Sequence, residues 1–107
     1  MDLRDAFALA EYLLEVHGLD DWDVAYDNAK RRAGVCRFAD KTLGLSAPLT
    51  AVHSDDDVRD TILHEIAHAL VGPQHGHDAT WVAKARAIGS SGERCVSPDA
   101  PAAPAAW

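Results

Sequence analysis

The segment His64-Glu65-Ile66-Ala67-His68 is the part of this chain best equipped for chemistry. Two histidines four positions apart stand on adjacent turns of one helical face, so both imidazoles can reach a single ion. The glutamate directly after the first histidine lies beside them, where its carboxylate can take a proton from water that the ion activates. His64 and His68 therefore read as metal ligands and Glu65 as the catalytic base. A catalytic ion keeps one coordination position open and draws a third ligand from the protein. His77, His75, Glu93 and Asp78 compete for that place. His77 is preferred. It follows the Gly72-Pro73 break and Gly76, at the mouth of the next helix, where the chain can turn back to the ion. His75 lies two residues earlier in the loop. Glu93 has the long spacing of a glutamate-type site but falls in a Gly/Ser stretch, and Asp78 is better used as a helix cap. The spacing that requires glycine at 71 and histidine at 74 is excluded, because those residues are Val71 and Gln74. All-imidazole ligation points to zinc, one ion per chain, and other divalent ions accept the same ligands.

A rigid helix must carry this motif. Ser54 is its capping residue, Asp55-Asp56-Asp57 suit the positive end of the helix dipole, and Gly72-Pro73 ends it. At 100° per residue Val58, Ile62, Ile66 and Leu70 form an apolar stripe, with Thr61, His64 and His68 roughly opposite. The helix should be central, packed on one side and lining a cleft on the other. Before it, residues 2–17 read as an amphipathic helix with Leu3, Phe7, Ala10 and Leu14 on one face, stopped by Gly18. Trp22, Val24 and Tyr26 alternate with polar neighbours as a half-buried strand, 34–39 reads as a second, and 42–47 as a third that Pro48 ends. With Asn28-Ala29-Lys30-Arg31-Arg32 as a polar turn, the expectation is a three-stranded antiparallel meander. A last helix starts near Asp78 and runs through Trp81, Ala85 and Ile88 to Gly89. Residues 96–107 read as a flexible Pro/Ala-rich tail. The fold class is α+β, with one domain over 1–95.

Composition narrows the partners. With 107 residues, 48% hydrophobic and 25% charged, the chain suits one globular domain. A net charge of −7 argues against DNA binding by this chain alone, which needs clustered positive charge. Lys30-Arg31-Arg32 reads as a solvated hairpin tip. No apolar run is long enough to cross a membrane. The charged start Met1-Asp2-Leu3-Arg4-Asp5 lacks a signal-peptide core. Cys36 and Cys95 make no disulfide framework; Cys36 reads as a packing residue in a strand and Cys95 as a free thiol. The expectation is a cytoplasmic, reduced, monomeric protein.

On these residues the chain resembles the SprT-like zinc metallopeptidases, a family that includes the catalytic domain of the DNA–protein crosslink protease Spartan. The resemblance runs from the first helix to about Cys95. It rests on Gly18-Leu19 and Trp22, on Asn28 through Cys36, on Leu43-Gly44-Leu45-Ser46, on the His64–His68 motif, and on Gly76-His77-Asp78-Ala79-Thr80-Trp81. In that family the third ligand is a histidine followed four residues later by a large aromatic, which His77 and Trp81 match and His75 does not. Asp78 departs from the glycine common after that histidine. Many relatives add a zinc ribbon or DNA-binding segments; this chain has no paired Cys-x-x-Cys, so crosslink repair is not carried over. The resemblance implies a small zincin-like domain that hydrolyses peptide bonds, with Glu65 as general base. The substrate is a protein or peptide, able to add along an edge strand. Tyr26, Arg37 and His75 are candidates for stabilising the oxyanion. The competing reading is a non-enzymatic, zinc-stabilised binding module with a degenerate peptidase site, and Glu65 favours the enzyme because a structural metal needs no base beside it.

Overall fold

The computed structural model describes residues 1–93, so the expected tail at 96–107, and Cys95, lie outside the described residues. The chain runs through helix α1 (Leu3–Val16), strands β1 (Asp23–Asp27), β2 (Gly34–Arg37) and β3 (Thr42–Ser46), then helices α2 (Ala47–Val52), α3 (Asp55–Val71) and α4 (Ala79–Ala87). Asp2 caps α1 by accepting from the backbone N–H groups of Arg4 and Asp5. The helix ends at Gly18, whose φ of +75° is open to a residue without Cβ. Its buried face is Ala6, Ala10, Leu13 and Leu14, turned from the expected one so that Leu3 is exposed and Phe7 meets the Tyr26 ring at 6.3 Å.

The strands correct the expected meander. The sheet is mixed, in the order β1-β3-β2, with β1 parallel to β3 and β2 antiparallel to it. The last strand thus occupies the middle. The cause is burial: Leu43 and Leu45 are 1% and 0% exposed, whereas every residue of β1 and β2 keeps some contact with solvent. The strand with the most apolar inner face takes the position covered on both edges. Residues 28–33 then form a crossover above the end of β3 rather than a tight turn. Ser46 ties that crossover down, its N–H donating to Ala33 O at 2.8 Å and its hydroxyl to Ala29 O at 2.6 Å.

The second correction is α2, where the strand was expected to run on to Ala47 and stop at Pro48. Ser46 caps a short helix by accepting from Leu49 N–H at 3.1 Å, and Pro48 sits in its first turn, where a missing N–H costs nothing. α3 begins at the Ser54 cap and ends at Gly72, with φ +100°. It is the central helix. Val58, Ile62, Leu63 and Ile66 join α1, Leu43 and Leu45 in the main core, while Ala67 packs with Trp81 and Ala85 of α4 in a smaller one. Complete burial of a side chain such as Ile62 or Ile66 is worth roughly 1.5–3 kcal/mol, which fixes α3 and the residues it carries. Among the described residues no helix is long and apolar enough to cross a membrane.

Candidate metal centre

α3 presents His64 and His68 one turn apart towards the start of α4. Asp78 caps α4 by accepting from Trp81 N–H at 3.0 Å, and its other carboxylate oxygen takes His75 Nδ1 at 2.7 Å. That cap sets His77 at the helix entrance, where its Nε2 lies 3.0 Å from His64 Nε2 and 3.2 Å from His68 Nε2. One nitrogen from each of the three lies within 4.8 Å of the other two. Trp81 forms the floor. Its fully buried ring stacks on His68 at 5.1 Å, meets His64 and His77 at 4.5 and 4.6 Å, and its Nε1–H donates to the His64 carbonyl at 3.2 Å.

The donor set fits a metal. Ligands about 2.0–2.1 Å from a tetrahedral zinc stand about 3.3–3.4 Å apart, a few tenths beyond the observed nitrogen spacings. Burial, followed by the neighbouring histidines, pushes His64 and His68 down to about 4, so both are neutral and carry a lone pair at neutral pH. His64 Nδ1 stands 3.2 Å from the carbonyl of Glu93. A carbonyl only accepts, so the proton is on Nδ1 and the lone pair on Nε2 faces the other two rings. Three nitrogens this close together could share one cation.

Glu65 is 7% exposed, and its Oε2 lies 3.7 Å from His64 Nε2. Burial pushes its carboxyl up to about 8, with the Arg32 guanidinium opposing. With His64 driven neutral and Glu65 driven protonated, the metal-free contact is between two neutral groups rather than an ion pair. The seat of Glu65 is made by β2. A Cβ on Gly34 would come within 3.1 Å of Glu65 Cγ and 3.3 Å of its Oε2, so the carboxylate rests on bare backbone. Cys36, on the same strand, has its thiol pushed up to about 12 by burial and by the Glu65 charge, so it stays protonated and packs.

The structure thus brings together His64, His68, His77 and Glu65. It does not bring His75, Asp78 or the Glu93 carboxylate into the three-nitrogen group. Of the oxyanion candidates, the Tyr26 hydroxyl donates to the Leu3 carbonyl, Arg37 lies 3.5 Å from Asp27, and His75 is engaged by Asp78. Arg32, expected at a solvated tip, pairs with Asp27 at 2.9 Å. Sequence reasoning missed the Glu93 carbonyl on His64 and the glycine seat of Glu65. Gly34 opening a strand was a visible signal for the second; nothing in the sequence signalled the first.

Comparison with curated proteins and with solved structures returned no match. The model of the SprT-like family matches residues 9–101, which takes in the second half of α1, the sheet, the three-histidine group and α4. The chain belongs to the SprT-like family.

Proposed function

We propose that this chain is a zinc-dependent metallopeptidase of zincin-like arrangement, hydrolysing peptide bonds in a protein or peptide substrate. His64, His68 and His77 hold one Zn²⁺, and the working unit is a single domain over 1–95 acting as a cytoplasmic monomer. The observation that carries the reading is the place of Glu65: a buried carboxylate beside the three-histidine group, its Oε2 3.7 Å from His64 Nε2. When bound, zinc supplies a positive charge that polarises water and the scissile carbonyl. Glu65 accepts the proton of the attacking water and delivers it to the leaving amine. Its high proton affinity in the metal-free chain falls once a cation stands a few ångströms away, towards the near-neutral range a proton shuttle needs. His64 keeps its orientation through Nδ1, Trp81 excludes water beneath the rings, and His77 closes the site from the α4 side. Among the described residues β2 is an edge strand that pairs with β3 alone, so an extended substrate can add along it past Glu65.

The test combines metal content with hydrolysis. Wild type purified without added metal should carry about one zinc; His77→Ala should lose most of it and His75→Ala should keep it. Zinc-loaded wild type should cleave labelled, unfolded casein, and Glu65→Gln should retain the zinc and lose at least about 100-fold in turnover. Zinc retained with no hydrolysis by wild type would instead favour a binding module, or a peptidase that needs a partner or DNA to deliver its substrate.

A further inference from the structure

Beyond α4 the chain doubles back to α3 through Gly89-Ser90-Ser91-Gly92. Both glycines hold positive φ, +103° and +77°, and a Cβ on Gly92 would stand 3.0 Å from the Arg86 side chain. The segment is gripped by one carboxylate. Asp60 Oδ1 accepts from the Ser90 hydroxyl at 2.7 Å and from Ser91 N–H at 2.8 Å, while Oδ2 accepts from the Ser91 hydroxyl at 2.9 Å. The serines pass the hold along, since Ser91 Oγ accepts from Glu93 N–H at 3.2 Å. At the end of this relay the Glu93 carbonyl meets His64 Nδ1. Asp60 lies one helical turn before His64 on α3, so one helix supplies both the ligand and the anchor for the group that orients it.

We propose that Asp60 is a positioning residue of the metal centre: through Ser90 and Ser91 it sets the Glu93 carbonyl on His64 Nδ1 and so holds the Nε2 lone pair towards the ion. A histidine ligand works best when its other nitrogen is fixed by an acceptor, because the tautomer and ring angle are then decided before the metal arrives. Without the clasp, residues 90–93 leave α3 and the His64 ring is free to turn. This role rests on the three-histidine metal site above but not on peptidase activity.

The test measures zinc dissociation constants by competition with a chromophoric chelator, and the visible d–d spectrum of the cobalt-substituted protein. Asp60→Ala should weaken zinc about 10- to 100-fold and shift the cobalt bands. Asp60→Asn, which keeps one acceptor oxygen, should restore part of the affinity. Ser54→Ala removes the α3 cap and destabilises the fold without reaching His64, so it should leave affinity within about twofold and the cobalt bands unmoved. Affinity within twofold of wild type in a folded Asp60→Ala, with unchanged bands, would overturn the role. If wild type binds zinc and hydrolyses nothing, the reading of a peptidase active by itself fails while the Asp60 effect stands. If wild type binds no zinc, the metal centre fails and this role with it.

Discussion

Truncating Trp81 tests the floor of the candidate metal centre without altering any of its three histidines. The indole is completely buried, packs with Ala67 and Ala85, and lies under all three imidazoles. Replacing such a side chain by alanine costs about 3–5 kcal/mol. A domain of this size has about 5–14 kcal/mol in all, so Trp81→Ala should remove about a fifth or more of its stability. Trp81→Phe keeps most of the ring and loses the Nε1–H bond to His64 O, so about 1–2 kcal/mol is expected. The assay is urea unfolding of the metal-free protein followed by far-UV circular dichroism, because the substitution alters the fluorescence probe. The midpoint should fall with the slope unchanged. Zinc affinity should weaken in the same order, alanine more than phenylalanine, since His68 loses its stacked wall. A Trp81→Ala protein within about 1 kcal/mol of wild type at equal slope would refute the packing argument.

Two further outcomes follow from the site. Gly34→Ala would force Glu65 to give by a few tenths of an ångström; zinc content should be unchanged and turnover on labelled casein should fall several-fold, scaled from about 100-fold for a 1 Å misplacement. Undiminished turnover would mean that Glu65 does not work from this seat. In the metal-free protein His64 and His68, at about 4 against an ordinary 6.5, bind fewer protons folded than unfolded, so they make stability rise with pH from about 4 to 6.5. Glu65, at about 8 against 4.5, holds its proton longer when folded and makes stability fall from 4.5 to 8. Two groups outweigh one below 6.5 and Glu65 acts alone above it, so urea midpoints under chelator should peak near pH 6.5. A continued rise through pH 8 would contradict the buried, protonated carboxyl.

The helices were legible because their signals are local. Ser54 and Asp78 announce caps, Gly18 and Gly72 announce stops, and the spacing of His64, His68 and His77 could be read against those boundaries. Strand order was not legible, because alternation at Trp22–Tyr26 and Thr42–Ser46 shows which side chains turn inward but not which strands are neighbours. That choice is made by competition for the covered position, a property of the whole sheet. Pro48 misled because the residue that ends a strand equally opens a helix, and the cap of Ser46 decided between them. The relay from Asp60 to His64 spans some thirty residues and ends on a backbone carbonyl, a group every residue carries.

The central place of β3 has a kinetic meaning. Neither β1 nor β2 has a strand partner until Thr42–Ser46 inserts between them, so a nascent chain ending before residue 42 holds two strands with nothing to pair to. The parallel pairing of Asp23–Asp27 with Thr42–Ser46 closes a loop that encloses β2 itself, and such non-local closure is slow compared with forming α1 or α3. Gly34 reaches Glu65 only after that insertion. Helix α3 can therefore present its two histidines early, while the seat of the glutamate arrives with the completed sheet. The histidine face of α3 and the glycine seat of Glu65 thus form as separable events in the life of the chain.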